Sequence, residues 1–300
     1  MRRRTNTMLS VHTLGKQYKD RWALRPLSLE LGKGMHGLLG PNGAGKSTLM
    51  RLLAGLLPPT TGDAMLGGSS VRDFKVNGSR IGYLPQTVRM LPQFSARKWL
   101  AHAASLQGGS RAERMRRVEE VLEQVNLRQE ADEPARSYSY GMIKRLGVAQ
   151  ALLGSKDLLI VDEPTAGLDP EERIRLRRVL AEAAATRVVL LSTHVLGDIG
   201  ASCREVIVLG EGRLLHHGST EGLAGFAEDR TWSWEASETE WRRMPLEGLL
   251  SARRTEEGIR CRALCDRPPS PFAERVAPTL EEGYLALVSR SKEDADASWL

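Results

Sequence analysis

The spacing of apolar residues changes several times along the chain, and each change marks an element. Leu9–Tyr18 and Leu27–Leu31 alternate apolar and polar positions, the repeat of strands with one wet face. They predict edge strands of an antiparallel region. Met35–Leu39 is a short apolar run and predicts a buried strand. Ser47–Leu53 has helical spacing, and Gly55 followed by Pro58-Pro59 supplies a stop. Thr60–Tyr83 reads as short strands divided by glycines, ending in Ile81-Gly82-Tyr83-Leu84. From about Phe94 to Leu153 the pattern turns helical. Met115, Val118, Val121, Leu122 and Val125 share one helical face, and Met142, Leu146, Ala149 and Leu153 share another. This block interrupts a chain that otherwise alternates strand and helix, and predicts an inserted helical subdomain. Leu158–Val161 and Val188–Leu191 are wholly apolar, as strands buried on both faces are. Glu171–Ala185 between them is an amphipathic helix. Val206–Leu209 and Arg213–His216 predict a hairpin about Glu211-Gly212.

After about Gly222 the composition shifts. Four of the six tryptophans fall here: Trp232, Trp234, Trp241 and Trp299. Pro268-Pro269-Ser270-Pro271 divides the segment. Trp232–Glu235 and Ile259–Leu264 read as strands and Thr279–Val288 as a helix, giving a small α+β accessory region. Trp232 and Trp234 lie two apart, so they point to one face and read as core anchors.

The 300 residues, 41% of them hydrophobic, suffice for one large or two smaller domains. No apolar run approaches the ~18 residues of a membrane span. Met1-Arg2-Arg3-Arg4-Thr5-Asn6-Thr7 is basic, has no signal-length apolar stretch after it, and reads as a disordered cytoplasmic tail. The net charge of +6 fits a triphosphate, an anionic membrane surface or nucleic acid. In Arg111–Arg117 and Arg173–Arg178, however, acidic residues interleave with the arginines, the pattern of solvated helix faces. Three cysteines, Cys203, Cys261 and Cys265, read as reduced thiols of a cytosolic protein. Cys261 and Cys265 lack the second cysteine pair or histidine that a zinc site needs.

Candidate chemistry begins at Gly40-Pro41-Asn42-Gly43-Ala44-Gly45-Lys46-Ser47-Thr48, which has the pattern G-x-x-x-x-G-K-[ST] between a strand and a helix. Its glycines let consecutive backbone N–H groups point at phosphates, and the helix start adds its positive end. Lys46 reaches the β/γ-phosphates and the Ser47 hydroxyl ligates Mg²⁺. The apolar run Leu158-Leu159-Ile160-Val161 ends in Asp162-Glu163-Pro164. Beside a phosphate loop, Asp162 can hold the Mg²⁺ shell and Glu163 can polarise an attacking water.

In these motifs and their order the chain resembles the ABC-type ATPases, the nucleotide-binding subunits of ATP-binding-cassette transporters, over roughly residues 9–222. The resemblance implies further roles. Glu163, directly after Asp162, resembles the catalytic base. His194 in Ser192-Thr193-His194 resembles the switch histidine that contacts the γ-phosphate. Gln86 in Tyr83-Leu84-Pro85-Gln86 resembles the glutamine that touches Mg²⁺ and water and signals to the membrane partner. Asp169 in Ala166-Gly167-Leu168-Asp169 resembles the loop joining the two sites of a dimer. Tyr18 resembles the aromatic residue that stacks on adenine, with Trp22 close enough to compete. Ser139 and Gly141 match the signature that binds the γ-phosphate of ATP held by the other subunit. Met142, followed by basic residues, is similar to the branch whose permeases are separate ABC-2-type exporters. Tyr140 departs from the signature, which has glycine there. It keeps the N–H, adds bulk and would resist a positive φ, so either the ring swings aside or the shared site is weak. Thr279-Leu280-Glu281-Glu282-Gly283-Tyr284-Leu285-Ala286-Leu287 resembles the closing helix of ABC-2-type export ATPases, with a regulatory or dimer-supporting role.

The fold implied is α/β, a P-loop NTPase core of the ABC ATPase type. It carries an antiparallel β subdomain, an inserted α-helical subdomain at about 94–153 and a small C-terminal α+β extension. The domain limits that follow are a tail at 1–8, the ATP-binding domain at 9–222 and the accessory region at 223–300. The function implied is a peripheral ATPase at the cytoplasmic face of the membrane, using ATP and Mg²⁺ to power a separately encoded integral-membrane permease, an exporter. ATP would join a homodimer or pseudo-symmetric dimer, and no nucleic-acid partner is expected. A soluble cassette ATPase of translation or DNA maintenance is a second reading. The single phosphate loop and the lack of sustained heptads speak against it. A regulatory ATP binder with a weakened shared site is a third, carried only by Tyr138 and Tyr140.

Overall fold

The computed structural model describes residues 8–244 and 248–297, with side chains described as far as residue 291. The expectations for residues 1–7 and for Trp299 lie outside the described residues. The chain divides into two compact units, one ending at His217 and one beginning at Gly218.

The first unit opens with strands β1 (Leu9–Tyr18) and β2 (Arg21–Leu31), paired antiparallel from Leu9↔Leu31 to Tyr18↔Arg21. β2 starts at Arg21, well before the Leu27 that alternation suggests. Pro26 hides the extension. A proline cannot donate to a ladder, but the register slips between Leu14 and Lys16, and the Arg25 N–H bonds to the Gly212 carbonyl instead, at 2.7 Å. Met8, expected in the tail, is already held: its N–H donates to the Leu31 carbonyl and its own carbonyl accepts from Gly67.

There follow β3 (Gly34–Leu39), α1 (Lys46–Leu53), β4 (Thr61–Leu66), β5 (Ser69–Ser70), α2 (Phe74–Asn77) and β6 (Ile81–Leu84). The helical block consists of α3 (Ala96–Ser105), α4 (Arg111–Gln124) and α5 (Tyr140–Leu152). Ser95, Ser110 and Ser139 cap their N-termini through side-chain oxygens, as residues that satisfy orphan helix N–H groups do. The chain returns through β7 (Leu158–Asp162), α6 (Pro170–Ala184), β8 (Val188–Ser192), α7 (Leu196–Ser202), β9 (Glu205–Gly210) and β10 (Arg213–Ser219). Glu211 and Gly212 turn the β9–β10 hairpin with φ of 50° and 75°, as a two-residue turn matched to strand twist requires.

Two sheets result, β2-β1-β4-β5 and β10-β9-β3-β8-β7-β6. In the second, β9, β3, β8, β7 and β6 run parallel. One core lies between the sheets: Leu9, Leu31 and Leu66 meet Leu49 and Met50 of α1, with Leu158, Ile160, Val188 and Leu190 beneath. The two-residue period of a strand places Asp162 on the same face of β7 as Leu158 and Ile160, and so on the α1 side. The register sets Leu38, Ser192 and Asp162 side by side on adjacent strands, at the edge where the phosphate loop leaves β3. Cys203, at the end of α7, is buried, and burial pushes its thiol up to about 12, which makes it inert.

The second unit contains α8 (Thr220–Ala224), β11 (Thr231–Ala236), α9 (Glu238–Arg243), β12 (Leu249–Arg254), β13 (Ile259–Leu264), β14 (Glu274–Arg275) and α10 (Leu280–Ala297). Its sheet runs β12-β13-β11-β14. Trp232 and Trp234 do share a face and are core residues, packed with Ile259, Cys261 and Ala263. A capping box starts α10. The Thr279 N–H donates to the Glu282 carboxylate at 2.6 Å, and the Glu282 N–H donates to the Thr279 hydroxyl at 3.3 Å. Arg262 grips the same carboxylate bidentately at 2.6 and 2.9 Å.

Burial alone would raise the Glu282 carboxyl, but the Arg262 and Thr279 hydrogen bonds outweigh it and hold the group below its ordinary value. A carboxylate depressed on folding adds stability that is present above its unfolded pKa and lost as pH falls through the folded one. Acid unfolding of this unit therefore steepens below about pH 4.5. Glu282→Gln flattens that pH dependence in urea titrations followed by tryptophan emission. An unchanged slope in the variant would refute the assignment.

Candidate active site

The phosphate loop is shaped by what surrounds it. Gly40 and Gly45 have φ of 149° and 100°. A Cβ at Gly40 would lie 2.3 Å from the Leu209 carbonyl, and one at Gly45 2.7 Å from that of Ala23. Glycine is thus required at both by close approach as well as by φ. The Gly212 N–H fixes the Ala44 carbonyl at 3.1 Å, so β2 and the β9–β10 hairpin brace the loop. Pro41, Asn42, Gly43 and Ser47 are exposed, Gly40, Lys46 and Thr48 half-buried, and Ala44 buried. Lys46 folds over the loop and donates to the Gly40 and Pro41 carbonyls at 2.5 and 3.0 Å. Burial lowers its pKa, while Glu163 and Asp162 oppose the shift, which puts one cation and two carboxylates in a common field. The first turn of α1 has no acidic residue, so its positive end is free of local compensation.

Asp162 ends β7 and is buried. Burial raises its carboxyl; the Ser192 hydroxyl opposes this and the Glu163 carboxylate adds to it. Glu163 has φ of 50°, a left-handed conformation costly for a residue with a Cβ. Its N–H is held by the Ser192 carbonyl at 2.9 Å. The turn sends its carboxylate to His194, whose Nδ1 lies 2.8 Å from Oε2, with the histidine largely exposed and the glutamate largely buried. Gln86 follows β6, the strand beside β7, with its side chain exposed.

Ser139 and Gly141 sit at the other end of the helical block. The Ser139 Oγ accepts from the Met142 N–H at 3.2 Å. A Cβ at Gly141 would meet only Leu168 and Ser139, at 3.5 and 3.8 Å, so nothing in this chain demands a glycine there. Tyr140 is the first residue of α5 and is absent from the positive-φ residues, so the backbone strain anticipated for it does not arise. Its ring swings aside onto Gly167, where an added Cβ would lie 2.8 Å from the ring. Asp169 caps α6, its Oδ1 accepting from the Glu172 N–H at 2.9 Å. Tyr18 stands exposed at the end of β1, with Lys16 Nζ 5.2 Å from its ring centroid.

Two residues here escape sequence reading. Lys144 on α5 is buried between the Gln86 and Glu163 carbonyls. Asp198 on α7 accepts from the Thr165 hydroxyl at 2.8 Å and pairs with Arg177 at 3.5 Å, which anchors the chain just after Glu163. A cleft of about 610 Å³ opens at the start of β3 beside Lys33 and His36. It lies at the far end of that strand from the phosphate loop and holds none of these groups. Among the described residues no cluster of three or more His, Cys, Asp or Glu could by itself hold a metal.

The ABC transporter family model matches residues 24–166. The uncharacterized ABC transporter ATP-binding protein YxlF of Bacillus subtilis is 38% identical over 217 residues, 72% of each chain. Nod factor export ATP-binding protein I of Cupriavidus metallidurans is 37% identical over 219 residues, again 72% of each chain. A solved ATP-binding subunit of an ABC transporter superposes with a TM-score of 0.67 at 29% identity, over 72% of this chain and 92% of its own. A dimeric ATP-binding cassette in a post-hydrolysis state, bound to ADP and Pi, shares the fold with a TM-score of 0.65 at 22% identity. The chain thus belongs to the ABC transporter ATP-binding proteins, whose activity is ATP hydrolysis.

Proposed function

We propose that this chain is a peripheral subunit, at the cytoplasmic face of the membrane, that drives a separately encoded permease in the direction of export. Among its described residues no helix is long and apolar enough to cross a membrane. Relatives named for Nod factor export and linearmycin resistance support the direction. Two copies, or this chain and a similar one, would enclose ATP head to tail, each site using the phosphate loop of one subunit and Ser139 and Gly141 of the other. The bare backbone at Gly141 suits such an approach, since no neighbour in this chain explains it.

The observation that carries the hydrolytic role is the Glu163 carboxylate, buried, turned by a left-handed backbone and held at 2.8 Å by His194. The loop N–H groups and Lys46 hold the phosphates. Glu163 takes the proton of the attacking water as its oxygen bonds to the γ-phosphorus and the bond to the β-phosphate oxygen breaks. His194 orients Glu163 and reaches the γ-phosphate. The oxygen donors of Asp162, Ser47 and Gln86 fit Mg²⁺, and burial has raised Asp162 as a nearby cation would reverse. Bound there, Mg²⁺ would neutralise charge on the phosphates. Tyr18 offers a face for adenine and Asp169 lies in the loop facing the second subunit.

The test is co-expression with a multi-span membrane protein, should one be encoded beside this gene. The two co-purify from membranes, and the complex hydrolyses ATP. Tyr140→Gly gives no gain in ATPase rate, because the ring already lies on Gly167. A severalfold gain would show a shared site impaired by Tyr140. Recovery of the chain with ribosomes or DNA instead of membranes would overturn the assignment.

A further inference from the structure

Lys144 is almost wholly buried, a rare state for lysine. Its Nζ donates to the Gln86 carbonyl at 2.5 Å and the Glu163 carbonyl at 3.2 Å. The Tyr140 ring, one helical turn back, has its centroid 5.7 Å from the ammonium. The two carbonyls belong to the segments that leave adjacent strands β6 and β7. The lysine itself sits on the helix capped by Ser139.

Glu163 occupies a left-handed backbone, with φ of 50°, that is unfavourable for a residue with a side chain. Such a conformation persists only where its flanking groups are tied down. On the N–H side the tie is the Ser192 carbonyl at 2.9 Å. On the carbonyl side it is Lys144. We propose that Lys144 is a positioning residue for hydrolysis: it clamps the Glu163 carbonyl so that the carboxylate stays aimed. It also makes that aim depend on where the Gln86 segment and the Ser139 helix sit. This rests on the reading of Glu163 as the group that polarises water. A nucleotide engaging Ser139 from the other subunit would thereby steady Glu163 in the same chain, so each subunit's hydrolysis is tied to its grip on its neighbour's ATP.

The experiment uses the full chain, with its permease, carrying Lys144→Met, Lys144→Leu or Lys144→Gln, each alone and combined with Glu163→Gln. Methionine and leucine fill the space without donating. Glutamine keeps donors on a shorter stem. The apolar variants lower kcat by about 10- to 100-fold, the scale of a misplacement near 1 Å, while KM for MgATP and ATP affinity stay within about threefold. Lys144→Gln recovers part of that loss. In the Glu163→Gln background the Lys144 substitutions lower the residual rate no further, because their effect runs through Glu163. A kcat within twofold of wild type in the apolar variants would overturn the proposal. So would an undiminished further loss in the double variants, or loss of ATP binding in both apolar variants, which would make Lys144 a support of the fold alone. A normal rate for Glu163→Gln beside slow Lys144 variants would remove the reading of Glu163 instead.

Discussion

Glu163→Gln binds ATP with near-normal affinity and turns over about 10²- to 10⁴-fold more slowly, the range that a positioned general base supplies. The amide matches the carboxylate in shape, so the left-handed turn at residue 163 and its N–H bond to Ser192 survive. It can still meet the His194 Nδ1 by a change of imidazole tautomer. What it cannot do is accept the proton from water. ATP-joined dimers should therefore accumulate, visible by size-exclusion chromatography with ATP and Mg²⁺ and dispersed on removing ATP. Single-turnover hydrolysis separates this from slow product release. A rate within threefold of wild type would exclude Glu163 as the base.

Lys46→Ala abolishes useful ATP binding and leaves the fold intact. The ammonium donates to two loop carbonyls of its own chain, at 2.5 and 3.0 Å. Charge-assisted hydrogen bonds to phosphate contribute about 1.5–3 kcal/mol each. Losing two weakens affinity by about 10²- to 10⁴-fold. Stability moves little, because Lys46 is half-buried at a cost that already lowers its pKa. Fluorescent-nucleotide titration reads the affinity and thermal unfolding without nucleotide reads the fold. Retained affinity would place the phosphates elsewhere, and lost cooperative unfolding would make Lys46 structural.

Elements set by local chemistry were legible before the structure. The phosphate loop, the apolar strands at Leu158 and Val188, the helical block and the paired tryptophans of β11 all stand where hydrophobic spacing or motif placed them. What escaped depends on distant neighbours. α2 has only four residues, too few to show a helical period. Pro26 masks half of β2, and its accommodation relies on Gly15 across the ladder and Gly212 far along the chain. Within the site, Asp162 and Glu163 were readable from a strand end, and His194 only from the family resemblance. Lys144 was not, because a lysine on an amphipathic helix reads as solvated until the strands that bury it are in place. Asp198 was hidden for the same reason, its partners Thr165 and Arg177 lying on other segments.

The packing of Tyr140 on Gly167 leaves the two positions with unequal freedom. Gly167 has φ of 76°, so a side chain there is strained whatever residue 140 is. An added Cβ would also stand 2.8 Å from the Tyr140 ring, but that ring is exposed and can move away. In a mutational library Gly167→Ala should therefore be depleted with or without Tyr140→Gly, whereas residue 140 should accept side chains of many sizes.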